Sequence, residues 1–291
     1  MWIDPSMSSM ADVTKTTWAP PTDARQDTNE AAGSPPRGAG GVQSAARALS
    51  ILELFNDRRL QLTTNEIAVL TGLNRGTAYR FCRTLLSLGY LEEVGSSTFR
   101  PGIKCVSLAQ AVLGSRDIVQ MGTPLLQSLR DRLHETVNMA ILDDTAIVYV
   151  VRILNSDLVT LRLVVGSRLP SYATSMGRVM LAFLPPDEAN AILDRSDIQP
   201  LTNATLVDRA DLQRELQRIK KSGYAYNDQG VAMGVRGIAA PILDGKGRAV
   251  AAVNLSIARP LTDDEVKNDL APEVMATAAQ ISARVKEIGH N

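Results

Sequence analysis

Between Val42 and Leu113 the apolar positions recur at helical spacing and are broken at short intervals by Gly, Asn and Pro. From Thr136 onward, short strand-like runs alternate with helical stripes. In the first region, Ala45, Ala48, Leu49, Leu52 and Phe55 predict a helix over Val42–Asn56, followed by a loop over Asp57–Leu60. Thr63 and Glu66 have capping-box spacing, so a second helix starts there and runs to the break at Thr71-Gly72. Asn74 offers the next N-cap, and Ala78, Phe81, Cys82, Leu85 and Leu88 form the apolar face of a third helix that stops at Gly89. Tyr90–Val94 and Thr98–Arg100 read as two short strands around Gly95-Ser96-Ser97, a wing beside the helices. Two helices about a tight turn, followed by a wing, form a winged helix-turn-helix.

Pro101-Gly102 breaks the chain, and Val106, Leu108, Ala109 and Val112 predict a linker helix over 103–116. One apolar face on a linker asks for burial, and pairing with the same helix of a second subunit supplies it. A longer stripe from Ile118 to Leu133 opens a second domain, with Pro124 a point of bending or restart. Strands are predicted at Thr136–Leu142, Thr145–Ile153, Val159–Val165, Ile238–Leu243 and Ala249–Ile257, with Tyr224–Tyr226 at an edge. Helices are predicted at Thr174–Phe183, Pro186–Leu193 and Asp208–Ser222, and from Thr262 to near Ile288. Strands first and last with helices between them give an α+β domain with an antiparallel sheet.

Composition narrows the function class. The chain has 291 residues and is 45% hydrophobic, enough for two cores. Residues 1–40 are rich in Pro, Thr, Ser, Gly and Ala and are expected to form a disordered tail. That divides the chain into 1–40, a winged helix over 41–102, the linker 103–116 and a second domain over 117–291. Net charge is zero, yet residues 41–116 hold nine Arg/Lys against five Asp/Glu, and no acidic residue lies between Ile67 and Leu91. Attraction to a polyanion is therefore focused on one region. No apolar run is long enough to span a membrane and no secretory signal pattern is evident, so a cytoplasmic location is expected. Cys82 and Cys105 lack the neighbours of a zinc site or a disulfide framework, and no metal or cofactor is expected. The two histidines, His134 and His290, sit at a helix end and in the terminal tail. No nucleophile elbow, P-loop or dinucleotide glycine pattern occurs, which argues against an enzyme. A winged-helix adaptor that contacts only protein remains the alternative.

The helix-turn-helix, wing, linker and α+β domain together resemble the IclR family of bacterial transcriptional regulators, from about Val42 to the last helix. The segment Gly166-Ser167-Arg168-Leu169-Pro170-Ser171-Tyr172-Ala173-Thr174-Ser175-Met176-Gly177-Arg178 carries the likeness most sharply. Gly223-Tyr224-Ala225 and Gly234-Val235-Arg236-Gly237-Ile238-Ala239-Ala240-Pro241 support it. These motifs are similar to the branch governing protocatechuate, 4-hydroxybenzoate and β-ketoadipate breakdown. The resemblance implies a GAF-like effector domain, a homodimer or dimer of dimers, a palindromic promoter operator and a small carboxylated effector, with an aromatic one favoured. Activation, repression and contact with RNA polymerase all fall within it. Where that branch usually carries an acidic cluster, this chain reads Asn227-Asp228-Gln229-Gly230-Val231-Ala232-Met233, so the branch's effector identity is not transferred.

For DNA, Asn74, Arg75, Gly76 and Thr77 open the recognition helix, and Gly76 allows close backbone approach. Arg75 and Arg80 are the candidates for base reading, since a guanidinium fork matches guanine O6/N7; Tyr79 offers contact with a sugar or thymine methyl. Arg83, Arg100, Thr64 and Arg47 are candidates for phosphate contact, with solvated surface roles as the alternative. For the effector, Tyr172, Ala173, Thr174, Ser175 and Met176 bring hydroxyls and free amides to a helix start, which attracts an anion. Thr174 and Ser175 serve equally as caps. Asn138, Ala140 and Tyr149 are inward-facing strand candidates, Arg162 and Arg236 alternative anion partners, and Asn254 a buried polar group in need of a partner.

Overall fold

A computed structural model of the chain describes residues 42–56, 59–114, 117–155 and 163–288. The expected tail over 1–40 and His290 lie outside the described residues, as does Arg162.

The N-terminal unit packs α1 (Gln43–Leu52), α2 (Thr64–Thr71) and α3 (Arg75–Ser87) against a sheet of β1 (Leu62–Thr63), β2 (Leu91–Gly95) and β3 (Thr98–Pro101). At eight residues α2 is far below the ~12–15 needed for an isolated helix, so its ends and its buried side must hold it. The capping box forms: the Thr63 hydroxyl accepts from Glu66 N, and a Glu66 carboxylate oxygen accepts from Thr63 N at 2.7 Å. Gly72 closes the helix at φ +68, a left-handed conformation that a side chain would strain. Asn74 caps α3 by accepting from Thr77 N at 2.9 Å. Ile51, Leu62, Ile67, Ala78, Cys82, Leu85, Leu91 and Phe99 form one core. The expected two-stranded wing becomes three strands in the order β1-β3-β2, because Leu62-Thr63, ahead of the cap, pairs with Phe99 and Thr98. Cys82 is fully buried in this core, and burial pushes its thiol up to about 11, which favours the protonated form.

The linker helix α4 (Lys104–Gly114) contains no buried residue, and Ile103, Val106 and Leu108 beside and along it are each at least half exposed. Beyond it, α5 (Asp117–Leu133) is one helix that runs through Pro124 without restarting.

The C-terminal sheet is antiparallel throughout. Its strands are β4 (Thr136–Asp143), β5 (Ala146–Ile153), β6 (Arg168–Pro170), β7 (Ala225–Asp228), β8 (Arg236–Leu243) and β9 (Ala249–Ile257), in the order β6-β5-β4-β9-β8-β7. The pairing of β4 with β9 joins the first hairpin to the last. Helices cover both faces. Val137, Met139, Val253, Leu255 and Ile257 pack towards α5 and α9 (Ala271–Ile288). Ala140, Tyr149 and Ala252 pack towards α6 (Ser175–Ala182), α7 (Pro186–Arg195) and α8 (Arg209–Ser222). Alternation along each strand produces the split, since successive side chains point to opposite faces.

Two expected elements differ. Residues 159–162 of the expected strand Val159–Val165 lie outside the described residues, and 163–165 are not strand. Ser167 N donates to Val164 O and Ser167 Oγ accepts from Val164 N, which closes a turn at Gly166 (φ +92), and the strand begins only at Arg168. The final helix is preceded by a wider π-helical stretch over Glu265–Leu270, whose first amide the Thr262 hydroxyl accepts at 3.2 Å.

Candidate functional site

The first candidate surface is the open side of α3. Arg75, Gly76, Tyr79, Arg80 and Arg83 are exposed there. Among the described residues Arg75 has no hydrogen-bond or ion-pair partner, and Arg80 makes one 3.3 Å bond, to the Thr77 hydroxyl. Arg47 of α1 joins Thr77, Arg80, Phe81 and Thr84 around a cleft of about 260 Å³, so cations from two helices face one groove. The wing changes the charge picture. Arg83 pairs with Glu93 at 3.1 Å, which sets one carboxylate against a helix face whose own sequence is free of acids, and Arg100 pairs with Glu92 at 2.8 Å within the wing. Both arginine side chains stay about half exposed. Such surface pairs are worth only ~0–1 kcal/mol, little enough for a phosphate to replace the carboxylate. Thr64 is turned inward: it is 2% exposed, and its hydroxyl donates to Ser97 O, fastening α2 to the wing.

The second candidate is a pocket between α6 and the sheet. Residues 171–173 form a short 3-10 turn, and the Thr174 hydroxyl caps α6 by accepting from Gly177 N at 3.0 Å. The turn is held close. Gly177 lies so near the turn that a Cβ would stand 2.2 Å from Ser171 O, and Arg178 Nε donates to Tyr172 O at 2.7 Å. Burial pulls the Arg178 guanidinium down to about 10, with Glu215 opposing the shift. Tyr149, Thr174, Ser175, Met176, Arg236 and Asn254 line the pocket, together with Leu169, Asn227, Val231, Val235, Gly237 and Ser256. Its floor is a row of polar groups on one sheet face. Asn138 Nδ2 donates to Asn254 Oδ1 at 2.8 Å and to Ser256 Oγ at 3.0 Å; Asn254 Nδ2 donates to Ser175 Oγ at 3.1 Å. Gly237 lets β8 approach this network, since a Cβ there would meet Ser175 Oγ at 2.6 Å. The open volume is about 30 Å³, room for one water and not for an aromatic ring. A wider cleft of about 310 Å³ lies beyond Leu169 and Tyr172, and its largest polar groups are engaged: Arg168 with Asp143, Gln199 with Asp197 and with the Tyr172 hydroxyl. Among the described residues no cluster of His, Cys, Asp and Glu is placed to hold a metal ion, and no helix is long and apolar enough to cross a membrane.

Residues 44–95 match the IclR helix-turn-helix domain, and residues 110–283 match the family described as bacterial transcriptional regulator IclR C-terminal. The chain belongs to the IclR family. It is a transcriptional regulator of that type, with a DNA-binding helix-turn-helix and a ligand-binding C-terminal domain. It is 34% identical over 243 residues to the Pca regulon regulatory protein of Pseudomonas putida, covering 82% of this chain and 83% of that one. It is also 34% identical to the HTH-type transcriptional regulator XynR of Escherichia coli K12, over 77% of this chain and 89% of that one. A transcriptional regulator from Rhodococcus sp. RHA1 superposes with TM-score 0.74 at 37% identity, over 86% of this chain and 100% of that one. An IclR homologue from Microbacterium hydrocarbonoxydans, solved with 4-hydroxybenzoate, shares the fold at TM-score 0.72 and 23% identity, over 83% of this chain and 98% of that one.

Within the IclR frame, several sequence candidates turn out to be structural. Tyr172 points its hydroxyl at Gln199, donating to its carbonyl at 2.8 Å and accepting from its amide at 2.9 Å. The Ala173 carbonyl accepts from Asn227 Nδ2 at 3.0 Å. Ala140 is fully buried core and Asn138 is a fully buried link beneath the floor. Arg236 lines the wall but is committed to Asp228 at 2.9 Å and to Arg259 O at 3.1 Å. Ser256 was readable from the strand period, being two residues from Asn254 on the same face. Val231 and Val235 were not, because they reach the pocket from a loop over 229–235 that Thr202 and Thr205 pin by donating to Gln229 O and Gly230 O; Asn227 reaches it from the edge strand β7 just before that loop.

Proposed function

We propose that this IclR-type regulator binds a palindromic promoter operator as a homodimer, and that a small carboxylic acid, favoured to be aromatic, enters the pocket at the start of α6 and changes that binding. The observation that carries the effector half is the juxtaposition of the α6 N-terminus, Ser175, Asn254 and Ser256 with an apolar wall of Leu169, Met176, Val231 and Val235. Donors at one end and hydrocarbon at the other suit an aromatic acid. The relative named for the Pca regulon and the homologue solved with 4-hydroxybenzoate support aromatic catabolism as the regulated process. The DNA half rests on Arg75 and Arg80 reading bases, with Arg47, Asn74, Gly76, Thr77, Tyr79, Arg83 and Arg100 at the backbone or groove wall.

The same reading gives the organisation of the chain. Residues 41–102 bind DNA, 103–116 link, and 117–291 sense and assemble. The exposed apolar residues at 103, 106 and 108 pair with their counterparts in a second copy. An acid too large for 30 Å³ must displace the loop over 229–235, so it binds the open and closed pockets unequally, the condition for shifting an equilibrium. Half-sites one turn apart need recognition helices ~34 Å apart, a spacing that a shift of the linker would alter. The test is a mobility-shift titration of the full-length protein on its own upstream DNA at several salt concentrations. It is repeated with benzoate, 4-hydroxybenzoate and protocatechuate. Specific complexes that weaken steeply with salt and respond to one of the acids are expected. Absence of a specific complex under every condition overturns the DNA half, and a complex indifferent to every acid overturns the effector half.

A further inference from the structure

The pocket floor ends at a charge that none of its lining residues explains. Arg152, on β5, stands opposite Asn138, which stands opposite Asn254, so the three form one row across β5, β4 and β9. Arg152 Nη1 donates to Asn138 Oδ1 at 2.9 Å. From there the chain of bonds runs through Asn138 Nδ2 to Asn254 and Ser256, and through Asn254 Nδ2 to Ser175 at the start of α6. The guanidinium is therefore wired to the three polar residues of the pocket floor.

The rest of that guanidinium is unspent. Nε is buried with no acceptor, and Nη2 makes no hydrogen bond among the described residues. Among the described residues no carboxylate pairs with Arg152; its one charged or titratable neighbour is Tyr149, whose ring is on the pocket wall and whose hydroxyl has no hydrogen bond. Arg236, the arginine that does line the pocket, is already neutralised by Asp228. A half-buried cation without a counterion is unfavourable, and natural folds keep such groups where an anion completes them. Burial draws the Arg152 guanidinium down from its ordinary value, yet an arginine stays charged at any physiological pH.

We propose that Arg152 is the charge receptor of the effector pocket, presenting its Nε–Nη2 edge to the acid's carboxylate while Nη1 remains on Asn138. Two parallel N–H donors on one edge of a planar group match the two oxygens of a carboxylate. The row Asn138–Asn254–Ser175 then reports the arrival of the anion to α6. This rests on the reading of the pocket as an effector site, and it assigns the specificity for acids to a residue outside the pocket lining.

The test uses the full-length protein, Arg152→Met and Arg152→Lys, with two probes. Formate is the smallest carboxylate and demands the least opening of the pocket, and its effect on the thermal midpoint is read against equal chloride. Wild type is expected to be raised by formate over chloride and Arg152→Met not. Calorimetry with 4-hydroxybenzoate and its uncharged amide then asks whether the ring-bearing acid uses the same group. The acid is expected to bind Arg152→Met on the order of 10- to 100-fold more weakly, the size of a lost charge-assisted bond. Its preference over the amide is expected to vanish, with Arg152→Lys in between. If Arg152→Met does not fold, Arg152→Lys, which keeps charge but not the fork, carries the comparison. Equal formate response in wild type and variant, or none in wild type, overturns the proposal. A formate difference at Arg152 with no binding of any aromatic acid leaves Arg152 as an anion receptor and sinks the aromatic-effector reading instead.

Discussion

On α3, Arg75 stands in solvent with no partner among the described residues and Arg80 keeps one 3.3 Å bond to Thr77, whereas on the pocket floor Asn138, Asn254, Ser256 and Ser175 are joined in one network. The two surfaces face different problems. Donors waiting for DNA are hydrated, so leaving them unpaired costs nothing, and the duplex is attracted from a distance by charge. Donors in a dry pocket are costly to leave alone, at about 1–3 kcal/mol for an unmade bond, and beside the pocket the Nε of Arg152 is left so. They satisfy one another until a ligand exchanges partners with them. Arg83 and Arg100 are intermediate, solvent-exposed but lent to Glu93 and Glu92.

The contrast is broken most severely at the DNA surface. Arg75→Ala with Arg80→Ala is expected to remove ~2–6 kcal/mol of operator discrimination, one to three for each base contact. Fluorescence anisotropy on operator and scrambled duplex reads this, with the oligomeric state by light scattering unchanged; retained selectivity means these arginines do not read bases. Next in size, Gly177→Ala places a methyl 2.2 Å from Ser171 O, backbone that cannot step aside. A loss of about 3 kcal/mol in unfolding by urea is expected, at the upper end for overpacking. A loss under about 1 kcal/mol would show that α6 slides away from the turn easily.

A pH titration follows. Burial pushes the Tyr149 phenol up to about 12, so the folded chain favours the neutral form. Stability from this group is intact below the ordinary tyrosine value near 10 and is lost as pH rises from there towards 12, on the order of 2 kcal/mol in all. Comparing alkaline unfolding of wild type with Tyr149→Phe isolates it; identical profiles would place the phenol in water. The smallest effect belongs to the wing. Glu92→Gln with Glu93→Gln frees two arginines, and DNA affinity is expected to rise by under ~1 kcal/mol per arginine, with a steeper salt dependence. An unchanged salt slope means Arg83 and Arg100 do not reach phosphate.

Local chemistry was legible in the sequence wherever the signal was itself local. The Thr63–Glu66 box, the Asn74 cap and the α3 stripe were readable because capping and amphipathic period act within a few residues. Strands β4, β5 and β9 were readable because apolar runs between turns have few alternatives. The strand expected over 159–165 failed where described because Leu163, Val164 and Val165 run on into a turn fixed by Ser167 and Gly166, a contact no propensity reports. In the pocket, Ser175 and Asn254 were readable as polar groups in apolar surroundings. Tyr172 was misplaced because a side chain's direction off a 3-10 turn depends on a partner, Gln199, supplied from a distant loop. Arg152 was invisible for a related reason: its significance lies in the absence of a carboxylate that only three strands in register could have supplied.

The candidate pocket has two separately built sides. Its floor is tied to α6 by the Asn254–Ser175 bond and by the close approach that Gly237 allows, while Val231 and Val235 ride on a loop hung from Thr202 and Thr205. On the proposed reading of the pocket, ring size and substitution can drift by exchanging the hydrocarbon on that hanging loop, with the polar floor untouched. A lineage of such proteins can change which molecule it answers to without relearning how to answer.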